Sequence, residues 1–347
     1  MSRAFATVLR AARGQPVGPP ELLEGEWGRL TELLVHHGLL VPVAREWLAE
    51  EVTLPGRVRD FLLRAQRQHA LRASQQLQVL TSLAEQSPIP ILAYKGLPLS
   101  ALLYGDPLER SSSDIDILIH PADLQPAVKF LERLGFRQRL PRPLEGELLA
   151  LLARTGNELS LEWEGVSLDL HWRLLPTYLS CLTTEELFER SQVWQCGSTA
   201  VRVLSPRDRV AAICLHATKS CWEKLRWLRD LDAAREVAQV NSPSGRAEEL
   251  GWRLLNLLER SPADPWESSL LESWCHPRGR GPGQRRLMIA HSLGRRWSAL
   301  RFLTGFAVTP TALDYSSRQL PRALWGLYPF LRLWSLVVKG SETQEKL

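Results

Sequence analysis

A chain of 347 residues, 44% hydrophobic and 23% charged, is long enough for two or three domains with buried cores, and its balance excludes a disordered or fibrous protein. Its net charge of +5, carried almost entirely by arginine, suits phosphate-bearing ligands through the guanidinium fork but is too modest to demand nucleic acid as a partner. Five cysteines, Cys181, Cys196, Cys214, Cys221 and Cys275, are odd in number and form no C-x-x-C pair, so they read as reduced core residues.

A short helical pattern over residues 2–13 is followed by a glycine–proline turn, then by helices over 21–36 and 42–51 separated at Gly38. His36 and His37 fall at the end of the first of these, where a helix C-terminus favours positive charge. Residues 56–86, free of proline beyond Pro55, repeat apolar side chains at helical spacing through Phe61, Leu62, Ala65, Leu77, Leu80 and Leu83, which predicts one long helix. Ser87-Pro88 breaks it and leads into a strand.

Residues 89–119 form the stretch around which the chain is organised: a buried strand, the Lys95-Gly96 turn, a short helix, a basic and serine-rich loop, and a strand that opens Asp114-Ile-Asp116. Alternate strand residues share a face at about 3.3 Å rise each, so Asp114 and Asp116 point one way while Ile115, Ile117 and Ile119 point the other. Two carboxylates this close repel, and one protonates unless a cation or strong donor compensates. Bound Mg²⁺ is the economical explanation.

A helix over roughly 121–134 ends at Gly135, and residues 141–152 carry a mixed pattern. Strands over 159–163 and 166–172 are joined by the tight Glu164-Gly165 turn, and the second puts Asp169 and His171 on one polar face. Beyond residue 177 the pattern is helical (183–191, 205–220, 222–240, 251–260, 266–274), interrupted by a strand at 199–204. Residues 276–286 form a glycine–arginine loop that could grip an anionic acceptor. The apolar segment 320–338 contains Pro321, Arg322, Pro329 and Arg332, too interrupted for a membrane span, and is expected to be a packed helical pair.

Three carboxylates converging from two strands, Asp114, Asp116 and Asp169, can hold a pair of Mg²⁺ ions that orient a nucleotide triphosphate and activate a hydroxyl, while Lys95 and Arg110 neutralise departing phosphates. The set K-G, a leucine-rich helix, R-S-S-S-D-I-D-I-L-I and then L-D-L-H-W resembles the nucleotidyltransferase fold of the DNA polymerase beta superfamily. More narrowly it is similar to the bacterial family of uncharacterised nucleotidyltransferases, with their pattern LKG…Y…R…SDIDLLV…DLHW. The run His216-Ala-Thr-Lys-Ser-Cys-Trp-Glu-Lys-Leu-Arg-Trp-Leu-Arg-Asp-Leu231 resembles that family's helical motif, and the likeness covers about residues 55–240.

The resemblance implies an α/β (α+β) polymerase-beta-like core, a small mixed sheet with flanking helices, with Asp114, Asp116 and Asp169 as catalytic metal ligands. It implies nucleotide contacts from Lys95, Gly96, Arg110, Ser113 and His171, with Mg²⁺ or Mn²⁺ as cofactor and an NTP as donor. Lys95-Gly96 stands where the broader superfamily has Gly-Ser. The expected organisation is an N-terminal helical region (1–85), the nucleotidyltransferase core (86–205) and a helical C-terminal region (206–347). The expected reaction moves an NMP to a hydroxyl-type acceptor (small molecule, sugar, peptide or protein) with release of pyrophosphate, in the cytoplasm, as no secretory leader is visible at residue 1. A non-catalytic nucleotide-binding protein, and a scaffold whose aspartates are incidental, are the alternatives.

Overall fold

The computed structural model describes residues 2–18, 20–50, 53–176, 182–276 and 296–342. Cys181 and the glycine–arginine loop at 278–286 lie outside them. The chain divides into two compact units built from interleaved segments: one from residues 1–80, 95–113 and 204–292, the other from 81–94, 114–203 and 293–347.

The first unit is helical. Its elements are α1 (Arg3–Ala12), α2 (Glu24–His37), α3 (Leu40–Ala49), most of α4 (Gly56–Gln86), α5 (Gly96–Tyr104) and, later in the chain, the helices Pro206–Lys219, Arg226–Val237, Arg246–Leu257 and Pro265–Cys275. Phe5, Leu30, Leu34, Trp47, Leu62, Leu103, Val210, Trp222, Leu228, Leu254 and Trp274 form its core. Local chemistry sets the boundaries. Ser205 accepts from the Asp208 N–H ahead of Pro206, and α2 stops at Gly38, whose φ of +69° is a left-handed turn and where a Cβ would strike Arg226.

Two expectations are corrected within this unit. The helix expected from Trp222 starts only at Arg226, because Cys221 and Trp222 adopt φ of +55° and +52° and turn the indole into the core. There Trp222 Nε1 donates to Thr218 Oγ1 (3.2 Å), and its carbonyl accepts from Trp274 Nε1 (2.6 Å). His37 does end α2, but as a buried group and not a charged one: its Nε2 lies 2.9 Å from the Trp274 carbonyl, and its Nδ1 accepts from the Leu225 N–H (3.3 Å). Burial pulls its pKa down to about 4.

The unfolded chain binds that proton near pH 6.5, so the stability His37 confers is complete above 6.5 and is lost as pH falls toward 4, by about 3 kcal/mol. Urea unfolding at pH 7 and pH 4.5 should show this extra loss in the wild type and not in His37→Gln. Equal losses in both proteins would remove His37 from the account.

The second unit carries the sheet, with strands β1 (Leu92–Ala93), β2 (Asp114–Leu118), β3 (Arg137–Gln138), β4 (Glu158–Trp163), β5 (Val166–His171), β6 (Gln192–Cys196) and β7 (Thr199–Val203) in the order β3-β4-β5-β2-β1-β7-β6. It is mixed: β2 runs parallel to β5, β1 parallel to β7, and the remaining pairs are antiparallel. Glu164 and Gly165, at φ of +47° and +80°, make the two-residue turn that fixes the β4–β5 register. β6 is a strand the sequence pattern misses, since Gln-Val-Trp-Gln-Cys alternates weakly and its Val193 is exposed, as suits an edge.

Within the same unit, residues 320–338 form two consecutive helical pieces, a 3₁₀ helix (Arg322–Leu327) and the start of an α-helix (Tyr328–Glu342). Tyr328 is buried edge-on against Tyr315, with ring centroids 4.5 Å apart. Among the described residues no helix is long and apolar enough to cross a membrane. Cys196, Cys214, Cys221 and Cys275 are free thiols.

Candidate functional site

Register builds the site. Along β2, β5 and β4 one face pairs Ile115 with Leu168, Ile117 with Leu170, and Leu170 and Leu168 with Leu159 and Leu161. Residues alternate across a strand, so the other face must take what remains. It pairs Asp114 with Ser167 and Asp116 with Asp169 on one side, and Asp169 with Ser160 and His171 with Glu158 on the other. The apolar rows make the sheet's buried layer; the polar rows bring Asp116, Asp169 and His171 together, with Asp114 and Glu158 at the neighbouring positions.

Asp116 is the centre of this cluster. Its carboxylate is buried, and its Oδ1 lies 3.3 Å from His171 Nε2. One ligand atom each from Asp116, Asp169 and His171 fall within 4.8 Å of one another. Asp114, half-buried, sits one pleat back on the same strand face and is not part of that closest group. Asp169 accepts a short hydrogen bond from Ser160 Oγ (2.6 Å), which engages Oδ1. His171 Nδ1 lies 3.6 Å from Glu158 Oε2, and that same oxygen accepts from Asn157 Nδ2 (3.0 Å).

Tyr94 closes the cluster. It follows β1, donates its N–H to the Asp116 carbonyl (3.4 Å), and meets the His171 ring edge-on at 5.1 Å. Burial, with Asp116, Glu158, Asp169 and Asp114 adding their negative charge, pushes its phenol well above the ordinary value, so it stays neutral. A buried aspartate facing another carboxylate and an imidazole is a costly arrangement that a divalent cation would relieve. Oxygen donors in this number are those that hard cations take, and the imidazole extends the range to Mn²⁺.

The other expected site residues belong to the helical unit. Lys95 caps α5 in extended conformation, and Gly96 follows at φ of +66°, a left-handed turn that explains glycine there. Arg110 is buried: its Nε donates to Asp230 Oδ2 (2.8 Å), its N–H to Ser100 Oγ (3.0 Å), and Asp230 Oδ1 takes Tyr104 Oη (2.8 Å). Asp230 therefore pairs with Arg110, while Arg226, one turn earlier on the same helix, donates to the Ser111 carbonyl (3.1 Å). Ser113 is exposed and ends the loop that leads into Asp114.

Sequence reasoning missed Glu158, Ser160 and Tyr94. The alternation Glu158-Leu-Ser160-Leu-Glu162 signals a polar β4 face, but only the register with β5 shows which residue each one meets. Compared with known proteins, the chain matches the family model described as "Uncharacterised nucleotidyltransferase" over residues 24–259. No curated protein matches it.

Proposed function

The chain belongs to the uncharacterised nucleotidyltransferase family, and from that membership we propose that it moves a nucleoside monophosphate from an NTP to a hydroxyl-type acceptor with release of pyrophosphate. The observation that carries this reading is the pairing of Asp116 with Asp169 across parallel strands, with Asp114 one pleat away. Asp114, Asp116 and Asp169 would hold Mg²⁺ or Mn²⁺. The bound ion supplies charge neutralisation at the triphosphate and a lowered pKa at the acceptor hydroxyl.

The residues of the chain do the rest. Asp169, held by Ser160, presents its second oxygen in a fixed direction and is the proposed acceptor of the hydroxyl proton. Lys95 and Gly96, at the turn before α5, are the proposed contacts to the NTP phosphates, with Ser113 as a further hydroxyl donor. Arg110 has its Nε engaged by Asp230, so among the basic candidates Lys95 is expected to matter most for donor binding. The proposed acceptors are a small molecule, a sugar, a peptide or a protein side chain, and the proposed location is the cytoplasm.

The direct test is binding of each of the four NTPs with and without Mg²⁺ or Mn²⁺, on wild type and on Asp114→Asn/Asp116→Asn, followed by pyrophosphate release against an acceptor panel. Metal-dependent binding that the double variant loses, with pyrophosphate released, is the expected result. Binding without metal-dependent turnover would favour a nucleotide-binding protein that keeps the fold, and no binding at all would favour a scaffold. Lys95→Ala is expected to weaken NTP binding roughly ten- to hundredfold, the loss of one charge-assisted contact. Unchanged affinity would return the lysine to a structural role.

A further inference from the structure

We infer that His171 is itself a ligand of the divalent cation, with β4 supplying the outer residues that orient the ligand set: Glu158 for His171 and Ser160 for Asp169. This rests on the metal-dependent reading above and extends it from a three-aspartate site to a mixed oxygen and nitrogen site.

Three independent observations meet here. His171 is 2% exposed, yet among the described residues neither ring nitrogen finds a hydrogen-bond partner, an arrangement rare for a buried imidazole that holds no ligand. Its Nε2 is 3.3 Å from Asp116 Oδ1, close to the roughly 3 Å that separates neighbouring ligands around an ion with bonds of about 2.1 Å. Its other nitrogen faces a carboxylate that is itself held: Glu158 lies directly across the β4–β5 ladder, 3.6 Å from Nδ1, and is fixed by Asn157. A carboxylate behind the far nitrogen of a histidine is the usual means of setting the tautomer and aim of a metal-binding imidazole.

The same ladder puts Ser160 behind Asp169, so both β5 ligands have an outer partner at the facing β4 position. Tyr94, neutral and edge-on to the ring, limits rotation of the imidazole without adding charge. A nitrogen in the set should favour Mn²⁺ over Mg²⁺.

Mn²⁺ alone, added to the full chain, reports this through pulsed electron paramagnetic resonance. The expected result is ¹⁴N modulation on the bound Mn²⁺, replaced by the ¹⁵N pattern when histidine is ¹⁵N-labelled, which needs no variant and no turnover. H171Q should abolish the nitrogen coupling and weaken Mn²⁺ binding. E158Q and S160A should retain the coupling but lower Mn²⁺ affinity roughly 10- to 100-fold, without a matching fall in Tm. Mn²⁺ bound in an Asp116-dependent manner with no nitrogen coupling would overturn the histidine assignment and leave the aspartate site standing. Absence of Mn²⁺ binding, or binding that survives D116N, would overturn both. A fall in Tm that accounts for the whole affinity loss in E158Q would make Glu158 a structural residue only.

Discussion

Asp116→Asn is expected to lower nucleotidyl transfer by roughly 10²- to 10³-fold or more while the chain remains folded. Asp116 is the most buried of the three aspartates, it lies opposite Asp169 across β2 and β5, and its Oδ1 is the carboxylate atom beside His171. An amide of the same shape keeps the packing but removes a charge where the metal's several kcal/mol of transition-state stabilisation would be anchored. In the absence of metal, stability should hold or rise, because the change removes one negative charge from a cluster of carboxylates in a low-dielectric site. Pyrophosphate release and thermal melting, each with and without Mn²⁺, check the two halves. The wild type should gain stability from Mn²⁺ by mass action and Asp116→Asn should not. Retention of full activity would mean that Asp116 holds no catalytic ion.

What the sequence revealed of this site, and what it withheld, divides along the difference between local and long-range order. Alternation within one strand is local, so Asp114 and Asp116 on one face, and Asp169 with His171 on another, were legible from period two alone. Which aspartate faces which depends on register, and register is set by the apolar rows of Ile115, Ile117, Leu168 and Leu170 packing together, and by the Glu164-Gly165 turn acting on β4. Hence Asp116, not Asp114, emerged as the partner of Asp169 and His171 only from the fold. Glu158 and Ser160 were invisible for the same reason, since a polar strand face without a known neighbour reads as solvent-facing.

The helices show the same division. The helix start at residue 205 and the stop at Gly38 were readable because the capping chemistry there acts within a few residues. The left-handed turn at Cys221-Trp222 was not, because it is favoured by burial of the indole among residues distant in sequence, such as Trp274. The chain also passes between the two units several times, returning from the sheet to the helical core at Lys95 and again at Leu204.

The ion pair between Arg110 and Asp230 gives the largest expected effect on stability. Their side chains are 7% and 2% exposed, the contact is 2.8 Å, and Tyr104 Oη donates to the second carboxylate oxygen. Asp230→Ala would take the Asp230 carboxylate away from the buried Arg110 guanidinium and from the Tyr104 hydroxyl, a cost of about 3 to 5 kcal/mol. The melting transition of the helical unit should drop by on the order of 10 °C. Asp230→Asn should cost less, since the amide oxygen can still accept from one donor. Arg110→Met/Asp230→Leu should recover much of the loss, because burying a charge pair is itself expensive and apolar side chains of similar volume are often equally stable. The double variant also separates structure from chemistry at Arg110. If its folded fraction keeps wild-type NTP affinity, Arg110 serves to anchor the loop that runs through Ser111 into Asp114. If affinity falls while Tm is restored, the guanidinium contacts phosphate as well.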